Sequence, residues 1–361
     1  MKRIMTKQLV PGMVIAENVY SINNNQLIME KGTVLSDKAI AKLGYYTVIN
    51  VFVEDDFQKE GSLHEKESTT LSYSQRLRKT KEFKKFKEDV ENASSHFESE
   101  MNQIVFKGAD LDPDEIVKPI LSIIDMGSGP SNIFDMLHSL RNYDDATYMH
   151  CINVALICNI IGQWLRYSEK DIETLTKAGL LHDIGKMLIP GNIITKPAKL
   201  TEDEYSIVMK HPEAGYQILK DLDIDEHIKN GALMHHERRD GSGYPSHLKG
   251  NEIDSFAGIV SIADVYDAMT SARVYRGSLC PFVAIALFES DGLTKYDPKV
   301  LMTFMENIVN TYLLNRVRLS NGQEGDIVFI NRDYLSRPTV SVGDQYIDLS
   351  INPEITIDAI I

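Results

Sequence analysis

From about residue 111 to about residue 316, apolar positions recur at helical spacing, in 150–165, 171–184, 202–220, 226–236 and 256–270. No strand–helix–strand alternation interrupts this stretch, and no glycine-rich phosphate loop follows a strand. The pattern predicts a helical bundle, a scaffold whose inward faces can present ligands from several helices. On either side the pattern changes. Residues 1–57 carry short apolar runs at 13–16, 26–29 and 47–53, with turn residues at 23–25 and a short helix that Ser36 caps and that ends near Gly44. This predicts a small mixed α/β domain with a regulatory or docking role.

Residues 58–110 are rich in Lys, Glu and Ser. Phe83, Phe86, Val90, Ala93, Phe97, Met101 and Ile104 step by three and four, an amphipathic helical linker. Its stripe over 83–104 has two readings: it pairs with a second copy in a homodimer, or it packs on its own domain. Residues 317–361 return to short runs, 317–319, 326–330, 339–342 and 346–349, divided by Asn321-Gly322 and Gly343-Asp344. They predict a small C-terminal β appendage. The fold class is therefore mainly α, with an all-helical domain over 111–316 between two small strand-bearing regions.

Composition narrows the function. The chain has 361 residues, 43% of them hydrophobic, enough for two or three domains with ordinary cores. Cys151, Cys158 and Cys280 are too few and too irregular for a disulfide framework, which suits a reducing, cytoplasmic setting. A net charge of -14 disfavours bulk nucleic acid as a partner, because phosphate neutralisation drives that binding. The basic run from Arg76 to Lys87 reads as a solvated helix face, since its aromatics belong to the apolar stripe. No signal peptide is expected, and the apolar stretch 152–165 is too short and too polar to span a bilayer.

The chemistry lies in two doublets. His182-Asp183 sits inside A-G-L-L-H-D-I-G-K, and His235-His236 opens H-H-E-R-R-D-G-S-G-Y-P. His and Asp bind divalent metals through nitrogen and oxygen. A polar doublet after an apolar run needs something to offset its desolvation. The two carboxylate oxygens of Asp183 make it the best candidate for a ligand shared by two cations about 3.5–4 Å apart, an arrangement that clamps an attacking hydroxide and a phosphate oxygen. His150, His211 and Asp264 join the set. Taken singly, His150 and His211 have ordinary structural explanations, while Asp264 in an apolar stretch calls for a partner. The glycines at 241–243 allow a backbone to approach a ligand, which suits a loop at the mouth of the site.

H-D-I-G-K at 182–186, the long motif at 235–245 and S-I-A-D-V-Y-D-A-M-T-S-A-R at 261–273 resemble the HD-GYP subgroup of the HD-domain phosphohydrolases. The similarity covers about 140–316. The resemblance implies an all-helical domain with a two- or three-metal centre, often iron or manganese, that hydrolyses cyclic di-GMP to pGpG and on to GMP. It assigns metal ligation to His150, His182, Asp183, His211, His235, His236 and Asp264. It places Asp183 and Lys186 at the reacting phosphate, and gives Lys186, Tyr244, Arg273 and Arg276 contacts to the nucleotide or its phosphates. Three-metal members carry a glutamate where this chain has Ala146, so two metals are expected. Val274 replaces a common proline and should affect loop shape more than chemistry. Two rivals stand beside the phosphodiesterase: a cyclic di-GMP receptor with little turnover, and a phosphohydrolase for another cyclic nucleotide.

Overall fold

The computed structural model describes residues 1–20, 27–36, 39–40, 42–43, 48, 50–54, 73–107, 111–125, 130–140, 147–194, 196, 198–271 and 279–361. The chain divides into two compact units, one of residues 1–76 with 312–361 and one of residues 77–311.

In the first unit, β1 (Lys2–Met5) pairs antiparallel with β4 (Asn50–Val53), and β2 (Val19–Tyr20) with β3 (Leu27–Met29). Ile15, Leu35, Leu43, Val51 and Val53 form a small core. The Ser36 hydroxyl accepts a hydrogen bond from the Ala39 amide at 3.2 Å, as a cap would. The turn expected at 23–25, the end of the helix near Gly44 and the linker up to residue 72 lie outside the described residues. The C-terminal residues form an antiparallel five-stranded sheet in the order β8-β7-β6-β5-β9. Its strands are β5 (Arg316–Leu319), β6 (Glu324–Phe329), β7 (Thr339–Val342), β8 (Gln345–Asp348) and β9 (Ile357–Ile360). Four of these answer to the alternating runs. The fifth, β9, has no such run and joins the sheet by pairing with β5.

The second unit is helical. Its centre is α5 (Thr147–Trp164), buried without interruption from Cys151 to Gly162 and apolar on all sides, as befits a helix surrounded by others. With α6 (Glu169–Leu181), α10 (Glu226–Met234) and α11 (Ser255–Thr270) it closes a ring in which α5 meets α6, α6 meets α10, α10 meets α11 and α11 returns to α5. The ends are fixed by side-chain caps. Ser168 accepts from the Asp171 amide at the start of α6, and Asp254 from the Phe256 and Ala257 amides at the start of α11.

Before this ring come α1 (Tyr73–Lys79), α2 (Lys81–Lys107), α3 (Pro113–Asp125) and α4 (Pro130–Leu140). Within it lie the short α7 (Gly191–Ile194), α8 (Glu202–Val208) and α9 (His211–Leu219). After it come α12 (Pro281–Leu287), α13 (Leu293–Lys295) and α14 (Pro298–Thr311). The stripe on α2 is buried at Phe83, Phe86, Val90, Ala93, Phe97 and Met101, and α2 packs on α3 and α5 of the same chain. The homodimer expectation therefore has no support from this stripe, whose apolar side chains the chain covers itself. No helix among the described residues is long and apolar enough to cross a membrane.

Candidate metal centre

Every candidate ligand lies where a helix begins, ends or faces the ring's interior. His150 sits in the first turns of α5. His182 ends α6, and Asp183 begins a 3-10 turn, Ile184–Leu188, that carries Lys186. His211 opens α9, His235 closes α10 with His236 next, and Asp264 lies midway along α11. Residue 185 must be glycine for this to close. A Cβ there would lie 2.0 Å from the His211 carbonyl oxygen and 2.5 Å from the Gly215 nitrogen. The bare backbone lets the 3-10 turn rest against α9.

Two groups result. Asp183, His211, His235 and His236 offer ligand atoms all within 4.8 Å of one another, as do His150, His182 and Asp264. Asp183 faces both. Its Oδ1 lies 3.2 Å from His211 Nε2 and 3.6 Å from His235 Nε2, and its Oδ2 lies 3.2 Å from His182 Nε2 and 3.8 Å from His150 Nε2. Asp264 Oδ1 approaches His150 Nε2 at 3.1 Å, and its Oδ2 lies 4.0 Å from His236 Nδ1.

The second nitrogen of each ring orients it. Nδ1 of His182 donates to the Gly179 carbonyl at 2.7 Å, Nδ1 of His211 to Val208 at 2.7 Å, and Nδ1 of His235 to Gly231 and Ala232 at 3.0 Å. Carbonyls only accept, so the protons sit on Nδ1 and the Nε2 lone pairs point inward. His211 Nε2 and His235 Nε2 then face each other at 3.2 Å with no proton between them. His182 Nε2 and Asp183 Oδ1 are buried without a hydrogen-bond partner. Buried orphan acceptors converging on one space are costly unless a cation fills it, so the donor set fits divalent metal.

Burial and close packing shift the ionisation of these groups in both directions. Burial pulls the His150 imidazole down, but hydrogen bonds with Asp264 and Asp267 outweigh it and push it up to about 10. Burial lowers His235 to about 4, and burial together with His235 lowers His236 further still. Burial alone would raise Asp183, yet His182 and Lys186 hold its carboxyl well below the usual range. Asp264 is likewise held down, chiefly by His150.

Lys186 Nζ donates to Asp183 Oδ2. The Tyr244 ring stacks on His236, centroids 4.7 Å apart at 22°. Its loop is tied down by residues to which the sequence reading gave no role. The buried Glu237 accepts from the Ser246 amide at 2.6 Å and the Leu248 amide at 3.0 Å. Arg238 Nη1 donates to the Glu237 carbonyl at 2.8 Å and to Ser261 Oγ at 2.6 Å. A Cβ at Gly243 would lie 2.4 Å from the Arg238 nitrogen, so only glycine lets the loop fold back this tightly. A third residue also went unread. Asp267 Oδ2 meets His150 Nδ1 at 2.7 Å, the carboxylate–histidine pairing common behind metal ligands. Its signal was in the sequence, since Asp264 and Asp267 stand three apart on one helix face.

The seven candidate ligands are thus brought together, with Lys186 and Tyr244 beside them. Arg273, Arg276 and Val274 lie outside the described residues, as do Asp144, Asp145 and Ala146.

Residues 132–300 match the family model of the HD domain. The H-D pair at 182–183 and the G-Y-P loop beside the clustered histidines lie inside this matched region and support a place in the HD-GYP group of that family. It is similar to the cyclic di-GMP phosphodiesterase PA4108 of Pseudomonas aeruginosa, 35% identical over 56% of this chain and 49% of that one. It is similar also to the cyclic di-GMP phosphodiesterase response regulator RpfG of Xanthomonas campestris pv. campestris, 37% identical over 45% of this chain and 44% of that one. A third relative, the 3'3'-cGAMP-specific phosphodiesterase 3 of Vibrio cholerae, is 37% identical over 42% of this chain and 33% of that one. The chain spans half or less of the length of each of these relatives.

Proposed function

We propose that this protein is a metal-dependent phosphodiesterase that hydrolyses cyclic di-GMP to pGpG and/or GMP, in the cytoplasm. The observation that carries the reading is Asp183, with one carboxylate oxygen toward His211 and His235 and the other toward His182 and His150. The names of the relatives from Pseudomonas aeruginosa and Xanthomonas campestris support the substrate. Two divalent cations, iron or manganese, held by His150, His182, Asp183, His211, His235, His236 and Asp264, would supply positive charge against the phosphate and acidify the attacking water.

The chain's own groups do the rest. Asp183 anchors the Lys186 ammonium, which offsets charge growing on the non-bridging phosphate oxygens. Tyr244, fixed over His236, closes one side of the site against the nucleotide. Arg273 and Arg276 would hold the second phosphate, where a planar fork of donors suits the anion.

Protein purified without oxygen should contain iron or manganese and hydrolyse cyclic di-GMP. His182→Ala and Asp183→Ala should lose metal and turnover together, and turnover surviving in a metal-depleted variant would exclude the mechanism. Tight binding without hydrolysis, with Fe²⁺ or Mn²⁺ supplied, would instead assign the receptor role. The Vibrio cholerae relative favours a second reading, 3'3'-cGAMP as substrate, which the same assay tests.

A further inference from the structure

A cavity of about 310 Å³ opens beside Asp183 and Lys186 and runs between α2 and α5. Phe97, Met101 and Asn102 of α2 form one wall, and Tyr148 and Cys151 of α5 form another. Helix α2 ends at Lys107, well before residue 132, where the HD-domain match begins. A helix outside the family domain therefore completes a pocket that starts at its candidate metal centre.

The lining has a definite chemistry. Phe97 and Tyr148 meet edge to face, centroids 6.0 Å apart at 83°, and Met101 adds a polarisable apolar surface. Among these side chains Asn102 brings an amide, half-buried and without a protein partner among the described residues. The part-exposed Tyr148 ring, backed by the buried Phe97 and Met101, and one free donor–acceptor pair match a nucleobase, which is held by stacking and read along its polar edge. The volume falls at the small end of the roughly 300–1,000 Å³ usual for ligand pockets, room for one base of a dinucleotide rather than the whole. Lys186, which lines the same cavity, is placed to meet the adjoining phosphate.

We propose that α2 supplies a base-recognition subsite for the substrate, with Asn102 as the residue that pairs with the base edge. The proposal rests on the cyclic-dinucleotide reading above and adds to it the place where a base is held. An asparagine amide can pair with the edge of either purine. A carboxylate at the same place accepts from N1–H and the 2-amino group of guanine but opposes the lone pair at N1 of adenine.

The test compares the wild type, Asn102→Asp and Asn102→Leu, each loaded with Mn²⁺, on cyclic di-GMP, 3'3'-cGAMP and cyclic di-AMP. Asn102→Asp should raise kcat/KM for cyclic di-GMP relative to cyclic di-AMP about tenfold, the discrimination that a two-bond contact to a base edge provides. Asn102→Leu should weaken all three substrates, mainly through KM. Calorimetric titration of the metal-free proteins with GMP and AMP should show the same change in preference without turnover. If Asn102→Leu does not fold, the near-isosteric aspartate variant still decides. An unchanged guanine-to-adenine ratio in Asn102→Asp, beside active wild type, overturns the subsite alone. Wild type that cleaves bis(p-nitrophenyl) phosphate but no cyclic dinucleotide overturns the substrate reading, and this proposal with it.

Discussion

At the scale of single residues, the two nitrogens of His150, His182, His211 and His235 have separate tasks. One is fixed to a carbonyl or carboxylate so that the other faces the candidate metal space. Asp267 does this for His150, the one ring of the set held by a carboxylate through Nδ1. Asp267→Asn keeps the shape and removes the charge, and should weaken metal affinity by about 10–100-fold while leaving helix content intact. Metal titration followed by calorimetry, with circular dichroism beside it, checks both halves.

The metal-free protein should also report its own charges. The His150 pKa rises from 6.5 to about 10 on folding, so the stability it contributes is full below pH 6.5 and is lost as pH climbs through about 10. The His235 pKa falls from 6.5 to about 4, so its buried neutral ring costs stability as pH drops from 6.5 through about 4. Together these two groups place the stability maximum of the metal-free protein near pH 6.5. Melting curves taken without metal from pH 4 to pH 10 should show it. Saturating metal should relieve the alkaline loss, because binding requires the deprotonated His150.

At the scale of elements, close backbone approach matters as much as ligand identity. The 3-10 turn after α6 meets α9 through Gly185. Gly185→Ala must push His211 away from Asp183. It should cost about 1–3 kcal/mol as overpacking, and metal affinity should fall with it. Denaturant unfolding of the metal-free protein reads the first effect and metal titration the second; unchanged metal binding would show that α9 yields without moving His211. This contact also marks how far the sequence could be read. His182-Asp183 was legible because a polar doublet after an apolar run demands a partner, and the long 235–245 motif was legible through its resemblance. The reason for Gly185 was not, since its neighbour is the carbonyl of a residue 26 positions on, a distance no periodicity encodes. Glu237 went unread because a glutamate after two histidines has no pattern of its own; its partners are backbone amides of the following loop. Strand β9 was missed because pairing with β5, not alternation, makes it a strand.

At the scale of the whole molecule, the open question in the sequence was where the α2 stripe goes. An amphipathic helix shows how wide its apolar face is but not what covers that face, so homodimer and intrachain packing were equally readable. The fold answers with α3 and α5. That answer has a measurable consequence, because a face buried within one chain contributes to unimolecular folding, whereas a face buried between two chains makes stability depend on concentration. Phe86 is buried on that face at 3% exposure. Phe86→Ala should therefore destabilise the helical unit by about 3–5 kcal/mol, the cost of emptying an aromatic site in a packed core. The unfolding midpoint of both proteins should stay constant over a hundredfold range of protein concentration. A wild-type midpoint that rises with concentration, and a Phe86→Ala midpoint that does not, would return the stripe to a dimer interface. Because α2 also forms a wall of the cavity beside Lys186, Phe86→Ala should in addition loosen substrate binding at a distance, seen as a raised KM in the surviving folded fraction.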